Sequence, residues 1–271
     1  MLTLDLAIVT YKPEGIKRVE GLILPPMDNV RYIVSWQEHE NASIPESLQK
    51  REDVEIHRFN EKGVSNNRNN ALKFCRADLV MIADDDMVYQ PEAIFKLMKE
   101  YEENPEVDMM LTRVIFPEKK TYPQNGTRIC LPFPKGYSGC NVEISFRKEK
   151  IKDLIYWSGI GPGNDTLQCG EDELFLIAAV KRGYNVQHRD IIIGEHPGIS
   201  TGQRVNEGIL RGQGFIISVF YPYSWILRVP LKAYRVSKKA NVSFLKSLGH
   251  LAKGAVIAKL KFSKVPKECR W

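Results

Sequence analysis

The chain has 271 residues, a net charge of +6, 43% hydrophobic and 27% charged residues. Such a composition belongs to a globular chain with enough core for one large domain or two small ones, and it excludes collagen-like, disordered and multi-span membrane classes. The five cysteines (Cys75, Cys130, Cys140, Cys169, Cys269) are odd in number and contain no C-x-x-C pair, so neither a disulfide framework nor a zinc site is suggested.

The charge is unevenly spread. From Arg228 to Trp271 there are 12 Lys/Arg against the single acid Glu268, a balance of +11, which leaves the rest of the chain at −5. Phe, Tyr, Trp, Leu and Ile are interleaved with these basic residues, a combination that suits an anionic membrane surface at least as well as nucleic acid.

The opening run Leu4–Thr10 lacks a basic flank and carries Asp5 inside its apolar stretch, so it is expected to be a buried first strand of a cytoplasmic protein and not a secretory signal. Val30–Ser35, Val54–His57, Leu79–Ala83 and Val107–Arg113 follow as predicted strands, separated by predicted helices at Glu14–Leu24, Val64–Cys75 and Glu92–Glu103. This alternation predicts an α/β fold, a doubly wound and mainly parallel sheet with helices on both faces, whose ligands lie beyond the carboxyl ends of the strands. Phe116–Gly139 has no clean period and is expected to form loops and short strands along an acceptor-binding face. Glu171–Arg182 has acids at the positive end of a predicted helix and stops at Gly183, followed by strand patterns at Asn185–His188 and Ile191–Gly194. Gly214–Leu227 is apolar but only 14 residues long, short of the roughly 20 needed to span a bilayer. Leu248–Phe262 has apolar residues at helical spacing among lysines. The expected organisation is an α/β domain over residues 1–212 and a basic, aromatic, partly amphipathic extension over residues 213–271.

Three consecutive acids, Asp84-Asp85-Asp86, leave the end of the predicted strand Leu79–Ala83. Their mutual repulsion needs a cation or hydrogen bonds, and Mg²⁺ or Mn²⁺ with substrate phosphates would supply it; an acidic turn before the next helix is the simpler alternative. Gly63 to Ala71 places Arg68, Asn69 and several amides at a strand-to-helix junction, where they could meet phosphate or base, or simply cap the helix. Asp172, in Gly170-Glu171-Asp172, could take a proton from an acceptor hydroxyl or merely suit the helix dipole. His196 is a credible ligand for Mn²⁺, and Arg204 with Arg211, seven residues apart, could clamp a diphosphate.

In order along the chain, strand–Thr10-Tyr11, strand–Gln37, Gly63 to Asn69, Asp84-Asp85-Asp86, Gly139-Cys140-Asn141, Gly170-Glu171-Asp172 and His196 together resemble a family-2 glycosyltransferase of the GT-A fold over about residues 3–212. The resemblance implies a nucleotide-sugar donor, a divalent metal and inverting transfer to a hydroxyl. It implies Asp84, Asp86 and His196 at the metal, with Asp84 also near ribose; Thr10, Tyr11, Gln37, Arg68, Asn69, Asp85 and Arg204 around the nucleotide; Asp172 as general base; and Asn141 and Glu171 toward sugar or acceptor. One departure is Gln37, which stands where the family usually has an Asp that reads the base; its amide can still bond a uracil edge through donor and acceptor. The expected partners are a nucleotide sugar, a glycan or lipid-linked acceptor and the inner face of the cell membrane, without nucleic acid. A sugar-1-phosphate nucleotidylyltransferase would need a Gly-rich basic loop after the first strand, which Thr10-Tyr11-Lys12-Pro13 does not provide. A membrane-binding protein with a vestigial nucleotide site is opposed by the intact Asp84, Asp86 and Asp172.

Overall fold

The computed structural model describes residues 1–135, 137–198 and 205–270. Eight strands are formed: β1 (Leu4–Tyr11), β2 (Val30–Gln37), β3 (Val54–Phe59), β4 (Leu79–Asp84), β5 (Val88–Tyr89), β6 (Met109–Ile115), β7 (Ile144–Arg147) and β8 (Val186–Glu195). They make one sheet in the order β3-β2-β1-β4-β7-β6-β8-β5. The half from β3 to β4 is parallel, as the apolar runs predict. Beyond β4 the sheet is mixed, because β7 is antiparallel to both β4 and β6 and β5 is antiparallel to β8. These two strands have four and two residues, too few to carry a period in sequence. The two strand patterns at residues 185–194 are one strand, β8, whose register against β6 shifts between Leu111 and Val114.

Helices α1 (Lys12–Leu22), α2 (Glu46–Gln49), α3 (Val64–Phe74), α4 (Pro91–Glu103) and α5 (Glu171–Lys181) lie between the strands in sequence, followed by α6 (Glu207–Phe220), α7 (Trp225–Ala240) and α8 (Phe244–Lys261). Residue 212, where the first domain is expected to end, falls inside α6. The described chain clusters into two compact units, one of Met1–Lys62, Asn66–Leu154 and Ala179–Ile199, the other of Gly63–Ser65, Ile155–Ala178 and Ser200–Trp271.

The first unit holds the whole sheet. All but the last residue of β1 are buried, which is expected where helices cover both faces. Asp5 in this strand is fully buried and stays so because it is fully answered: Arg31 donates to it from Nε at 3.0 Å and Nη2 at 2.9 Å, and the backbone N–H groups of Arg76 and Ala77 donate at 2.6 and 2.9 Å. These bonds tie the amino ends of β1 and β2 to the turn that enters β4, at the opposite end of the strands from Tyr11, Gln37 and Asp84.

The second unit is built on helices. One of its apolar clusters joins Ile160, Leu167, Leu174, Phe215 and Ala258, and another joins Leu210, Val229, Ala233, Leu251 and Ala255. Helices α6 and α8 touch at their backbones: a Cβ at Gly214 would stand 1.9 Å from the Leu251 carbonyl oxygen, and one at Gly254 would stand 1.9 Å from that of Arg211. The apolar residues of 214–220 and 248–258 are therefore largely spent on this packing, with Phe215, Leu251, Ala255 and Ala258 buried. In an open helix Gly→Ala stabilises by about 1 kcal/mol. At Gly214 and Gly254 the sign reverses: alanine at either position is expected to lower the stability on the order of 1–3 kcal/mol, measurable by urea denaturation.

Candidate active site

Alternation along the end of β4 sends Asp85 to the opposite side from its neighbours Asp84 and Asp86. Asp85 is tied inward. Arg18 of α1 donates to it through Nε at 3.0 Å and Nη2 at 2.8 Å, and the Thr10 hydroxyl makes a very short hydrogen bond to the same carboxylate. This hydrogen bond holds the Arg18 guanidinium above its ordinary pKa against the opposing effect of burial. Gly15 makes room for the arrangement, since a Cβ there would sit 2.0 Å from Thr10 Oγ1. The Thr10 carbonyl in turn accepts from Asn67 Nδ2 at 2.8 Å. Asp85 and Thr10 thus lock the ends of β4 and β1 to α1 and α3.

The outer pair is arranged differently. Asp84 faces the buried Arg68 of α3 with 3.5 Å between Oδ1 and Nη2. Asp86 lies with Oδ1 3.4 Å from Nε2 of His196, just beyond β8. His196 is pinned on its other side, where Nδ1 is 2.9 Å from the Gly198 carbonyl oxygen. A carbonyl can only accept, so Nδ1 carries the proton, and in the neutral imidazole the lone pair of Nε2 points at the carboxylate. Two electron-pair donors then face one another, an arrangement completed by a cation between them or by a second proton on the ring. Burial pushes the Asp86 carboxyl above the usual carboxylate range, with Asp84 and Asp85 adding to the rise and His196 opposing it. A hard oxygen and a borderline nitrogen fit Mn²⁺, and Mg²⁺ less well. Among the described residues no three His, Cys, Asp or Glu side chains converge on one point.

Tyr11, at the end of β1, is half exposed, with Lys12 Nζ 5.6 Å and the Arg18 guanidinium 6.0 Å from its ring centroid. Gln37 ends β2 as a buried side chain whose Nε2 has no hydrogen-bond partner. Asn69 is half-buried in α3, and Asn141 is fully buried in the 3-10 turn before β7. Glu171 and Asp172 head α5 in the second unit, Glu171 buried and Asp172 half-buried. Gly170, at φ +109°, precedes them with no room for a Cβ against Ile216, so the start of this helix is closely fixed. Arg211 is engaged with the Thr166 carbonyl at 3.0 Å and with Glu207. Arg204 lies outside the described residues.

A further cluster has no motif in the sequence. Glu143 has no solvent exposure and accepts from Lys120 Nζ at 2.5 Å, from the Tyr122 hydroxyl at 2.8 Å and from the Cys140 backbone N–H at 3.1 Å. The Lys120 ammonium also lies 5.3, 5.4 and 5.5 Å from the ring centroids of Phe116, Tyr122 and Tyr137, a cation caged by three aromatic faces. Phe116 packs on His196 at 5.5 Å between centroids. The segment after β6, expected to form loops and short strands, contains no named strand among its described residues; it is tied to Glu143 by this ion pair and to β8 by backbone hydrogen bonds of Gly126, Thr127 and Ile129. The signal available in sequence was an acid, Glu143, inside the apolar run Val142 to Phe146. Burial holds Glu143 above its ordinary pKa, while Lys120 pulls it down. Lys120→Met removes that offset and is expected to cost about 3–5 kcal/mol at neutral pH. The folded-state pKa of Glu143 in this variant lies still further above its unfolded value, so the variant's stability should fall as pH rises through that interval. Denaturation of Lys120→Met at several pH values checks the slope, and adding Glu143→Gln should flatten it.

Residues 38–160 match the family model described as Glycosyl transferase family 2. None of the curated proteins matches the chain. Among solved structures, that of S. aureus TarS 1-349 matches with a TM-score of 0.61 at 12% identity, covering 96% of this chain and 92% of that one. The same protein in complex with UDP-GlcNAc matches at 0.61 and 14%, covering 98% and 82%, and in complex with UDP at 0.56 and 15%, covering 89% and 73%. At such identity the likeness is one of fold, and it confirms the GT-A-like architecture expected from the order of motifs. The chain thus has a GT-A-like fold, and the model of family-2 glycosyltransferases matches it from the end of β2 past the acids of β4.

Proposed function

We propose that the enzyme moves a sugar from a uridine diphosphate sugar to a hydroxyl of a glycan or lipid-linked acceptor, with inversion, in surface polysaccharide synthesis at the inner face of the cell membrane, and that it uses Mn²⁺ or Mg²⁺. The observation that carries this reading is the pair of facing donors, Asp86 Oδ1 and His196 Nε2, 3.4 Å apart with the imidazole proton held on the far side by Gly198. The S. aureus TarS structures with UDP and UDP-GlcNAc support the donor class. Asp86 and His196 would hold the metal, whose chemistry there would be to neutralise charge on the leaving diphosphate, while Asp84, expected beside them, instead faces Arg68.

The chain's own residues would do the rest. Tyr11 offers an exposed ring to the base, and Gln37 offers an amide donor and acceptor to a uracil edge. Arg68 adds positive charge for the phosphates, and Asn69 and the Thr10–Asp85 clamp shape the nucleotide's floor. Asp172 accepts the proton of the acceptor hydroxyl as its oxygen bonds to the anomeric carbon; the bond to the diphosphate breaks, and its electron pair leaves with the diphosphate. Glu171 and Asn141 position sugar or acceptor. No helix among the described residues is long and apolar enough to cross a membrane, and the contact with a bilayer in this reading is peripheral.

In the Asp86→Asn variant, calorimetry with Mn²⁺ should show UDP affinity reduced by on the order of 100-fold or more. Its melting temperature should be no lower than that of the parent, because a carboxylate strained by burial has been neutralised. Asp172→Asn should bind UDP normally and transfer sugar roughly 10²–10⁴ times more slowly; near-normal turnover would leave Asp172 as a helix-dipole residue only.

A further inference from the structure

Helix α7 has two unlike faces. Val229 and Ala233 are buried against Leu210, Leu251 and Ala255. The opposite side carries Tyr223, 96% exposed, then Ile226, Leu227 at 77%, Pro230, Leu231 and Tyr234, all exposed. Their positions recur every three or four residues, so they form one continuous apolar stripe about three turns long. Scattered apolar residues on a surface need no explanation, but a contiguous stripe of six does.

Its surroundings decide what covers it. Arg228, Arg235, Lys238 and Lys239 flank the stripe as exposed cations, and no acid occurs anywhere from Trp225 to Lys261. A second copy of the same face would bring like charges together. Nucleic acid would match the charge and leave the stripe in water. An anionic bilayer satisfies both, with apolar side chains below the headgroups, basic residues among them and Tyr223 and Tyr234 at the boundary.

We propose that α7 is the membrane-docking element, lying in the interface of an anionic bilayer with Tyr223, Ile226, Leu227, Leu231 and Tyr234 inserted. The proposal rests on the peripheral placement given above; of the two segments whose apolar faces the sequence suggests for that contact, 214–227 and 248–262, it keeps only the exposed end of the first, Tyr223 to Leu227. The apolar residues of 214–220 and 248–258 are largely consumed by the α6–α8 packing. For the same reason a chain cut near Arg228 would lose α8 and much of the second unit's core, so point variants of the full chain are the proper test.

The experiment is sedimentation of the full chain with vesicles of phosphatidylglycerol and phosphatidylcholine, or of phosphatidylcholine alone, over a range of salt. The parent should bind the anionic vesicles, bind the neutral ones poorly and lose binding as salt rises. Leu227→Ser with Leu231→Ser should reduce partitioning by at least about tenfold, given the burial gain of a leucine side chain. Lys238→Gln with Lys239→Gln should reduce it by roughly tenfold or more on anionic vesicles only. Both variants should keep the parent's melting temperature and its Mn²⁺-dependent UDP affinity. Absence of binding by the parent, or undiminished binding by the leucine variant, would overturn the proposal. So would a dimer in sedimentation velocity that the leucine variant dissociates, which would assign the stripe to a second copy. Loss of UDP binding with vesicle binding intact would count against the glycosyl-transfer reading and leave α7 as the docking element.

Discussion

Three adjacent carboxylates at the end of a buried strand repel one another, and the arrangement of this site follows from how that repulsion is divided. The middle one, Asp85, is neutralised from within by the two nitrogens of Arg18 and the hydroxyl of Thr10. Charge-assisted hydrogen bonds of this kind are stronger than neutral ones and directional, so they fix the turn after β4 as well as compensate it. The outer pair is then left to deal with charge in other ways, Asp84 through a long contact with Arg68 and Asp86 through a histidine whose proton is elsewhere. The clamp on Asp85 leaves Asp86 less fully answered than its neighbour, which is the feature on which the proposed cation site rests.

The same amino acid serves the opposite end of the sheet differently. Asp5 is fully buried and surrounded by four donors, leaving nothing for a ligand. Asp5 and Asp86 differ on physical grounds: the first has its hydrogen-bonding capacity filled by the chain, and the second faces another lone pair.

What could be inferred from the sequence depended on how local the cause was. The apolar runs of β1, β2, β3 and β4 and the helices between them are set by residues close in the chain, and they appear at nearly the expected positions. Asp84, Asp86 and His196 stood out in the sequence because each lies at or just beyond the end of an apolar strand. The partners that give them meaning were not. Arg18 meets Asp85 across 67 residues, the Gly198 carbonyl is backbone, and Lys120 finds Glu143 only once the segment after β6 has turned back. Strands β5 and β7 exist because longer neighbours pair with them. The outward stripe of α7 was hidden by Pro230, which reads as a helix breaker in sequence yet sits within the first two turns of the helix, close to the end where the lost N–H matters least.

The bond from His196 to Gly198 has one more consequence. The group that sets the imidazole's tautomer is a main-chain carbonyl, and no replacement of a side chain removes it. Orientation of the ring is therefore insulated from drift at neighbouring positions in a way that a carboxylate partner would not be. Only changes that bend the backbone after β8 can reach it, and a side chain at position 198 is one of them, since a Cβ there would stand 3.3 Å from the imidazole and 3.4 Å from Asp86 Oδ2.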